Sequence, residues 1–367
     1  MTYNWEQPDW PQFRYDLGKV QDLLFSYLER IGRMTGQLEA LPDSLQLEAL
    51  IHTIVTEAIK TSEIEGEYLS REDVMSSVCN QLGLNPETIS VPDQRAQGIS
   101  QLMLAVRKDD TRKLSQDVLF SWHQMVMQGT PNIQAGAWRT GSNPMQVVSG
   151  AVGKEKIHFE APPADRLPTE MNQFIRWFND THPDGKTPIK PGLIRSAIAH
   201  LYFESIHPFE DGNGRIGRAL SELALSQEIH RPMPLSLSRS IEKNRNDYYD
   251  ALKKAQRSNE ISEWLHYFVA MVLDAQTESE RQVDFILKKA KFFDRVKNQL
   301  NPRQLKVVQR MLDAGPEGFE GGMSAKKYIS ITKTTKATAT RDLQDLAKRG
   351  MIRSTGAGRS TRYQLNL

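Results

Sequence analysis

Cysteine is nearly missing from this chain. One residue, Cys79, in 367 leaves no internal disulfide and no cysteine-held metal cluster, and a lone cysteine in a helical stretch reads as a small hydrophobe. Long apolar runs are missing too: none approaches the roughly 20 residues that span a bilayer. The N-terminus, MTYNWEQPDW, has neither a basic start nor an apolar stretch behind it. The sequence therefore predicts a cytoplasmic protein with no membrane partner. No G-x-x-x-x-G-K-[ST] loop occurs, which excludes the P-loop manner of holding a nucleotide. What is present, 39% hydrophobic and 25% charged residues, is the make-up of an ordinary globular protein long enough for two or three domains.

The formal charge of +2 conceals an asymmetry. Residues 301–367 hold 13 Lys/Arg against 5 Asp/Glu, or +8, which leaves −6 for the rest. Two regions of opposite sign suggest two tasks.

Apolar periodicity predicts a mainly helical chain. Trp5, Pro8, Trp10 and Pro11 mark an extended start, followed by a helix over Tyr15–Ile31 and an amphipathic one from Leu47 to about Gly66. Helices are also expected over Tyr68–Leu84 (with Ser70 as an N-cap), Asp93–Val106, Leu114–Met127, Pro168–Asn179, Gly192–Ile206, Ile241–Lys254 and Ile261–Val272. Between Gly129 and Pro163 the period changes. Met145–Val148 and Lys156–Phe159 alternate as short strands, so a β-hairpin is expected. Its exposed edge can capture an extended peptide by main-chain hydrogen bonds, or it is an idle surface hairpin. His123 lies on a helix and reads as structural.

The stretch His207-Pro-Phe-Glu-Asp-Gly-Asn-Gly-Arg-Ile-Gly-Arg218 links two helices through a glycine-rich turn. Glycines let backbone N–H groups converge on an anion at the start of the second helix, whose partial positive charge adds to the attraction. Arg215 and Arg218, three apart, can both reach phosphates from the first turn. Asp211 is a hard oxygen ligand suited to Mg²⁺, and His207, if held neutral, can take a proton from a hydroxyl.

This stretch matches the signature HPFx[D/E]GN[G/K]RxxR at every constrained position, and the chain resembles the Fic (fido) family, whose members transfer AMP from ATP to a hydroxyl of a target protein. The resemblance implies His207 as general base and Asp211 as Mg²⁺ ligand. It implies phosphate contacts from Gly212, Asn213, Gly214 and Arg215, Arg218 on the γ-phosphate, and Phe209 as a buried anchor. Relatives that phosphorylate carry Lys where this chain has Gly214. Upstream, Thr61…Glu65-Gly66 is similar to the family's inhibitory motif [S/T]xxxE[G/N]. By that likeness Glu65 pairs with Arg218 and holds off productive ATP binding. From the residues alone, an acidic last turn opposes the helix dipole unless a cation such as Lys60 or solvent compensates it.

The family likeness also implies that the hairpin (Met145, Gln146, Val147, Val148) docks the target. It places Tyr249 and Gln256 at the adenine, with Gln256 departing from the family's asparagine. The expected architecture is an N-terminal helical regulatory segment (1–110, inhibitory helix about 46–66), a Fic core with a β-hairpin flap (111–275), a helical connector (276–300) and a winged helix-turn-helix (301–367). In the last, Thr338, Thr340 and Arg341 on the third helix, with Arg353, Arg359 and Arg362 on the wing, suit DNA phosphates. A winged helix used for protein contact or dimerisation fits as well. The expected function is a protein adenylyltransferase acting on a Ser, Thr or Tyr hydroxyl, and a homodimer is the family's expectation. The alternatives are removal of AMP, with Glu65 orienting a water, and a nucleotide-sensing DNA-binding regulator.

Overall fold

The structure, a computed structural model, describes all residues except 1, 109–112, 150–155, 233 and 357. Its described helices are α1 (Gln21–Glu39), α2 (Asp43–Ile64), α3 (Arg71–Gln81), α4 (Gln94–Lys108), α5 (Gln116–Val126), α6 (Leu167–Asp180) and α7 (Gly192–Ile206). They continue as α8 (Asn213–Ile229), α9 (Leu237–Lys243), α10 (Arg245–Ala255), α11 (Ser262–Val296), α12 (Pro302–Leu312), α13 (Ala325–Thr332) and α14 (Lys336–Lys348). Two antiparallel hairpins complete the chain: β1 (Gln146–Ser149) with β2 (Lys156–Glu160), and β3 (Ile352–Thr355) with β4 (Arg362–Leu365). No described helix is long and apolar enough to cross a membrane.

The chain divides into two compact units, Met1–Thr277 and Glu278–Leu367. In the first, α7 is the axis. Every one of its residues is buried, as a helix apolar on all sides must be. One side of α7 (Ala199, Tyr202, Phe203, Ile206) joins a core with Ile54 and Val55 of α2, Leu102 of α4, Phe174 of α6 and Leu220 of α8. The other side (Leu193, Ile194, Ala197, Ile198, Leu201) joins a second core with Tyr27 and Ile31 of α1 and with Trp264 and Phe268 of α11. The N-terminal helices, expected as a region of their own, thus share both cores with the signature helices. A buried carboxylate adds to the docking of α2: Glu57 accepts from Ser236 Oγ at 2.6 Å, Ser238 N at 3.0 Å and Ser238 Oγ.

Several boundaries differ from the periodicity. The stretch expected to be extended holds a 3-10 turn at Asn4–Glu6. The helix expected from Tyr15 begins at Gln21, because Leu17–Val20 forms a 3-10 turn capped by the Asp16 carboxylate on Gly18 N. Ser70 caps α3 as expected, accepting from Asp73 N, so Tyr68 lies before the helix. The stretch expected as a helical connector from 276 is helical but continues the helix expected to end at Val272. Ser262–Val296 is one helix of 35 residues, and no glycine or proline interrupts it. β1 pairs with β2 through Gln146↔Glu160 and Val147↔Phe159, with a bulge between Val147 and Val148.

The second unit packs Val307, Met311, Tyr328, Leu343, Leu346 and Ile352 into its own core. Asp342, buried on α14, accepts from Tyr328 Oη and Arg303 Nε, each at 2.9 Å. The β3–β4 hairpin follows α14, and Met323 bridges to Tyr363 beside it.

Replacing Glu57 with alanine leaves two buried serine hydroxyls and an amide without their acceptor. Each unsatisfied group costs roughly 1–3 kcal/mol, so Glu57→Ala should lower the denaturant midpoint clearly with an unchanged m-value. An unaltered urea midpoint would show that this anchor contributes nothing.

Candidate active site

The site lies where α7 ends and α8 begins. His207 terminates α7 in the left-handed region (φ 49°), its N–H donating to Phe203 O at 2.9 Å. A non-glycine residue there costs on the order of 1 kcal/mol or more, and surrounding contacts must hold it. They do so through Arg139, which the sequence reading missed. Its Nε donates to His207 O at 2.8 Å, its Nη2 to Pro162 O at 2.5 Å, and its N–H to Pro208 O at 2.9 Å. A buried guanidinium therefore serves the carbonyl end of α7, where its positive charge also suits the helix dipole.

Phe209 is fully buried. It stacks on His123 at 4.0 Å between ring centroids, so that histidine packs against the loop from α5. Asn213 spends its side chain on the loop itself: Phe209 N donates to Oδ1 and Nδ2 donates to Phe209 O, both at 2.9 Å. Its expected phosphate contact can thus come from its backbone rather than its amide. Gly212 turns the chain at φ +80° into α8, with its N–H on Asp211 Oδ1 at 2.6 Å. No side chain caps α8, so the first-turn N–H groups stay available for an anion.

These residues open onto a cavity of about 950 Å³. Its walls include His207, Asp211, Gly212, Asn213, Gly214 and Arg218 of the signature, Glu65, and Met145, Gln146 and Val147 of the hairpin. Tyr249 and Gln256 line it as well, although the Gln256 amide also donates to Glu204 O at 3.1 Å. The Val148 side chain lies outside the described residues. Arg245 and Lys253 of α10 add positive charge to the wall and were not foreseen.

Glu65 meets Arg218 as the family likeness implied, at 2.7 Å from Nη2. Arg218 also donates from Nε to Thr61 Oγ1 at 2.7 Å and from Nη2 to Thr61 O at 3.0 Å. Two cations thus compensate the acidic end of α2: Arg218 at Glu65, and Lys60, as expected, at Glu63. Gly214 makes room for this contact, since a Cβ there would collide with Glu65 Oε1. Arg215 is placed differently from expectation. It is buried, pairs through Nη1 with Glu67 at 2.9 Å, and is not part of the cavity wall.

Burial, with the nearby positive charge of Arg139, pushes the His207 imidazole down to about 4, against the opposing pull of Glu65 and Asp211. It is neutral at physiological pH and able to accept a proton. Glu204 Oε2 lies 3.7 Å from His207 Nδ1. Burial raises the Glu204 carboxyl to about 8. The Asp211 side chain is 50% exposed beside Arg215. Among the described residues no cluster of three or more His, Cys, Asp or Glu forms a metal cage. One open carboxylate next to an anion cradle fits Mg²⁺, which keeps several waters and takes its remaining ligands from phosphates.

The loop thus presents helix N–H groups, a neutral histidine and an exposed carboxylate to one cavity, an arrangement able to receive an anion and accept a proton. Comparison with known proteins specifies it further. Residues 113–225 match the model of the Fic/DOC family, and residues 3–84 match a domain of unknown function, DUF4172. The protein adenylyltransferase Fic of Drosophila yakuba is 29% identical over 165 residues, which is 45% of this chain and 28% of that protein. Its namesake in Nematostella vectensis is 24% identical over 249 residues, 66% of this chain and 53% of that protein. The chain therefore spans only about a quarter to a half of these curated relatives. Among solved structures, a Fic family protein from Desulfovibrio desulfuricans G20 superposes with a TM-score of 0.53 at 21% identity, over 97% of this chain and 98% of that one. Fic-1 (residues 134–508) of C. elegans gives 0.51 at 20% identity, over 74% and 76%. These likenesses establish the fold: a mainly helical Fic fold with a small hairpin near 146–160.

An NMR titration of the imidazoles should find His207 neutral at pH 6 and protonating only near pH 4. Its folded value lies below the unfolded one, so it contributes a loss of stability as pH falls from about 6.5 toward 4. A midpoint near 6.5 for His207 would contradict the burial described.

Proposed function

We propose that this protein is an adenylyltransferase that transfers AMP from Mg²⁺-ATP to a hydroxyl of a target protein and is restrained by Glu65. The observation that carries the reading is the meeting of Glu65 and Arg218 in the cavity that also presents His207, Asp211 and the open end of α8. The Fic/DOC match over the signature and the relatives named as protein adenylyltransferases support it.

In this mechanism the α8 N–H groups and Gly212–Gly214 receive phosphate oxygens. Asp211 would hold Mg²⁺, which when bound neutralises phosphate charge. His207 Nε2 takes the proton of a Ser, Thr or Tyr hydroxyl. The hydroxyl oxygen then bonds to the α-phosphorus as its bond to the bridging oxygen breaks, and pyrophosphate leaves with that bond's electron pair. The β1 edge aligns the target segment, and Tyr249 flanks the base. Arg218, once free of Glu65, meets the γ-phosphate.

The test uses α-labelled ATP and Mg²⁺ with the wild-type protein, Glu65→Gly, His207→Ala and the double variant. Strong labelling of protein by Glu65→Gly and weak labelling by wild type are expected. His207→Ala should lose about 10²–10⁴-fold, the usual worth of a positioned base. Equal labelling by wild type and Glu65→Gly would remove the inhibitory pairing. Loss of AMP from a labelled target, in place of labelling, would favour the reverse reaction.

A second reading concerns the C-terminal unit, taken as a winged helix that contacts DNA. On α14 the buried Ala339, Asp342, Leu343 and Leu346 leave Arg341, Gln344 and Lys348 exposed on the other side, and Arg353 is exposed on the hairpin. Thr338 and Thr340 are half-buried, and the Arg359 side chain lies outside the described residues. The full chain should shift duplex DNA in a gel, with affinity falling steeply as salt rises. Salt-insensitive or absent binding would leave protein contact as this unit's role.

A further inference from the structure

The chain continues past Glu65 into Gly66-Glu67, and that second carboxylate lies outside the motif by which Glu65 was recognised. Its position follows from how α2 ends. Gly66 takes φ +82°, Gly66 N donates to Glu63 O at 3.0 Å, and Glu67 N donates back to Ser62 O at 2.9 Å. This left-handed cap fixes the backbone on both sides of the glycine. It sends Glu65 to Arg218 at 2.7 Å and Glu67 to Arg215 at 2.9 Å. One rigid turn thus delivers a carboxylate to each arginine of the signature.

The state of Arg215 suggests the consequence. Its side chain is 3% exposed, its Nη2 stands 3.6 Å from Asp211 Oδ1, and its Nε is buried with no acceptor. It is a guanidinium with an unused donor, held away from the cavity that Asp211 and Gly214 line. The charge of Glu67 also acts on Arg95 of α4, whose guanidinium is 40% exposed and paired with Asp93 at 2.8 Å.

We propose that Glu67 is a second inhibitory carboxylate, which competes with nucleotide phosphate for Arg215 and swings to Arg95 when phosphate takes its place. The inference rests on the nucleotide reading of the site. Nucleotide then meets two negative charges from the N-terminal segment, and relief of Glu65 alone leaves Arg215 engaged. Because Glu65 and Glu67 share one backbone cap, a partner that unwinds the end of α2 frees both arginines together.

Calorimetric titration with Mg²⁺ and a non-hydrolysable ATP analogue tests this without depending on transfer. The proteins are wild type, Glu65→Gly, Glu65→Gly/Glu67→Gln and Glu65→Gly/Arg95→Ala. Glu67→Gln keeps the shape and a hydrogen-bonding group against Arg215, and thermal melts check each fold. The Glu67→Gln addition should tighten binding roughly five- to tenfold over Glu65→Gly, the scale of one partly buried ion pair. Arg95→Ala, which removes the alternative partner, should weaken it. Affinity that is unchanged or reduced on adding Glu67→Gln, while Glu65→Gly itself binds, overturns the proposal and leaves the nucleotide reading standing. Should either double variant fail to fold, the other decides. An analogue that binds none of the folded proteins overturns both.

Discussion

The buried guanidinium of Arg218 is the constraint around which this site is built. A charge taken out of water is costly unless paired and hydrogen-bonded, and Arg218 is only 2% exposed. Here its partners all come from one turn of α2: Thr61 Oγ1, Thr61 O and Glu65. The need is mutual. The last turn of α2 has no basic residue of its own, and its carbonyl end together with an acidic side chain calls for a cation. The end of α2 is therefore a counter-ion for the site rather than a lid laid over it. Any ligand that replaces it must supply negative charge to Arg218, and the triphosphate of the proposed substrate does so.

Two helix ends of opposite polarity meet at the signature loop. The carbonyl end of α7 holds His207 and is served by Arg139. The amide end of α8 is left uncapped and faces the cavity. Packing fixes this pairing. α7 is buried along its whole length between two cores, and Gly217 of α8 lies so close to Glu204 of α7 that a Cβ would collide with Oε1. Burial that deep keeps the imidazole neutral, so the same packing that positions His207 prepares its basic form.

Much of this was legible in the residues. The signature, the helical faces, Ser70 as a cap and the site of the hairpin all rest on local pattern, which a sequence carries directly. The misses have a common physical origin. Arg139 serves carbonyls 68 residues away, Arg215 pairs with a carboxylate 148 residues away, and Glu204 becomes notable only through burial. None of these produces a local period. The length of α11 is a different case. Its polar run after Leu273 resembled a boundary, yet its lack of glycine and proline was there to be read.

Gly214 stands where the end of α2 meets the signature loop. A side chain at this position would meet both Glu65 Oε1 and, at 2.9 Å, Arg218 Nη1. The resemblance implies that relatives which phosphorylate carry lysine here. In this fold a side chain at 214 would require the ends of Glu65 and Arg218 to shift, because its Cβ alone overlaps the carboxylate. The same absent side chain leaves the first turn of α8 open to a phosphate. A small residue at 214 thus leaves room for the Glu65 carboxylate and for whatever enters the cavity at the first turn of α8. Changing it would disturb the Glu65–Arg218 contact and the first turn of α8 in a single step.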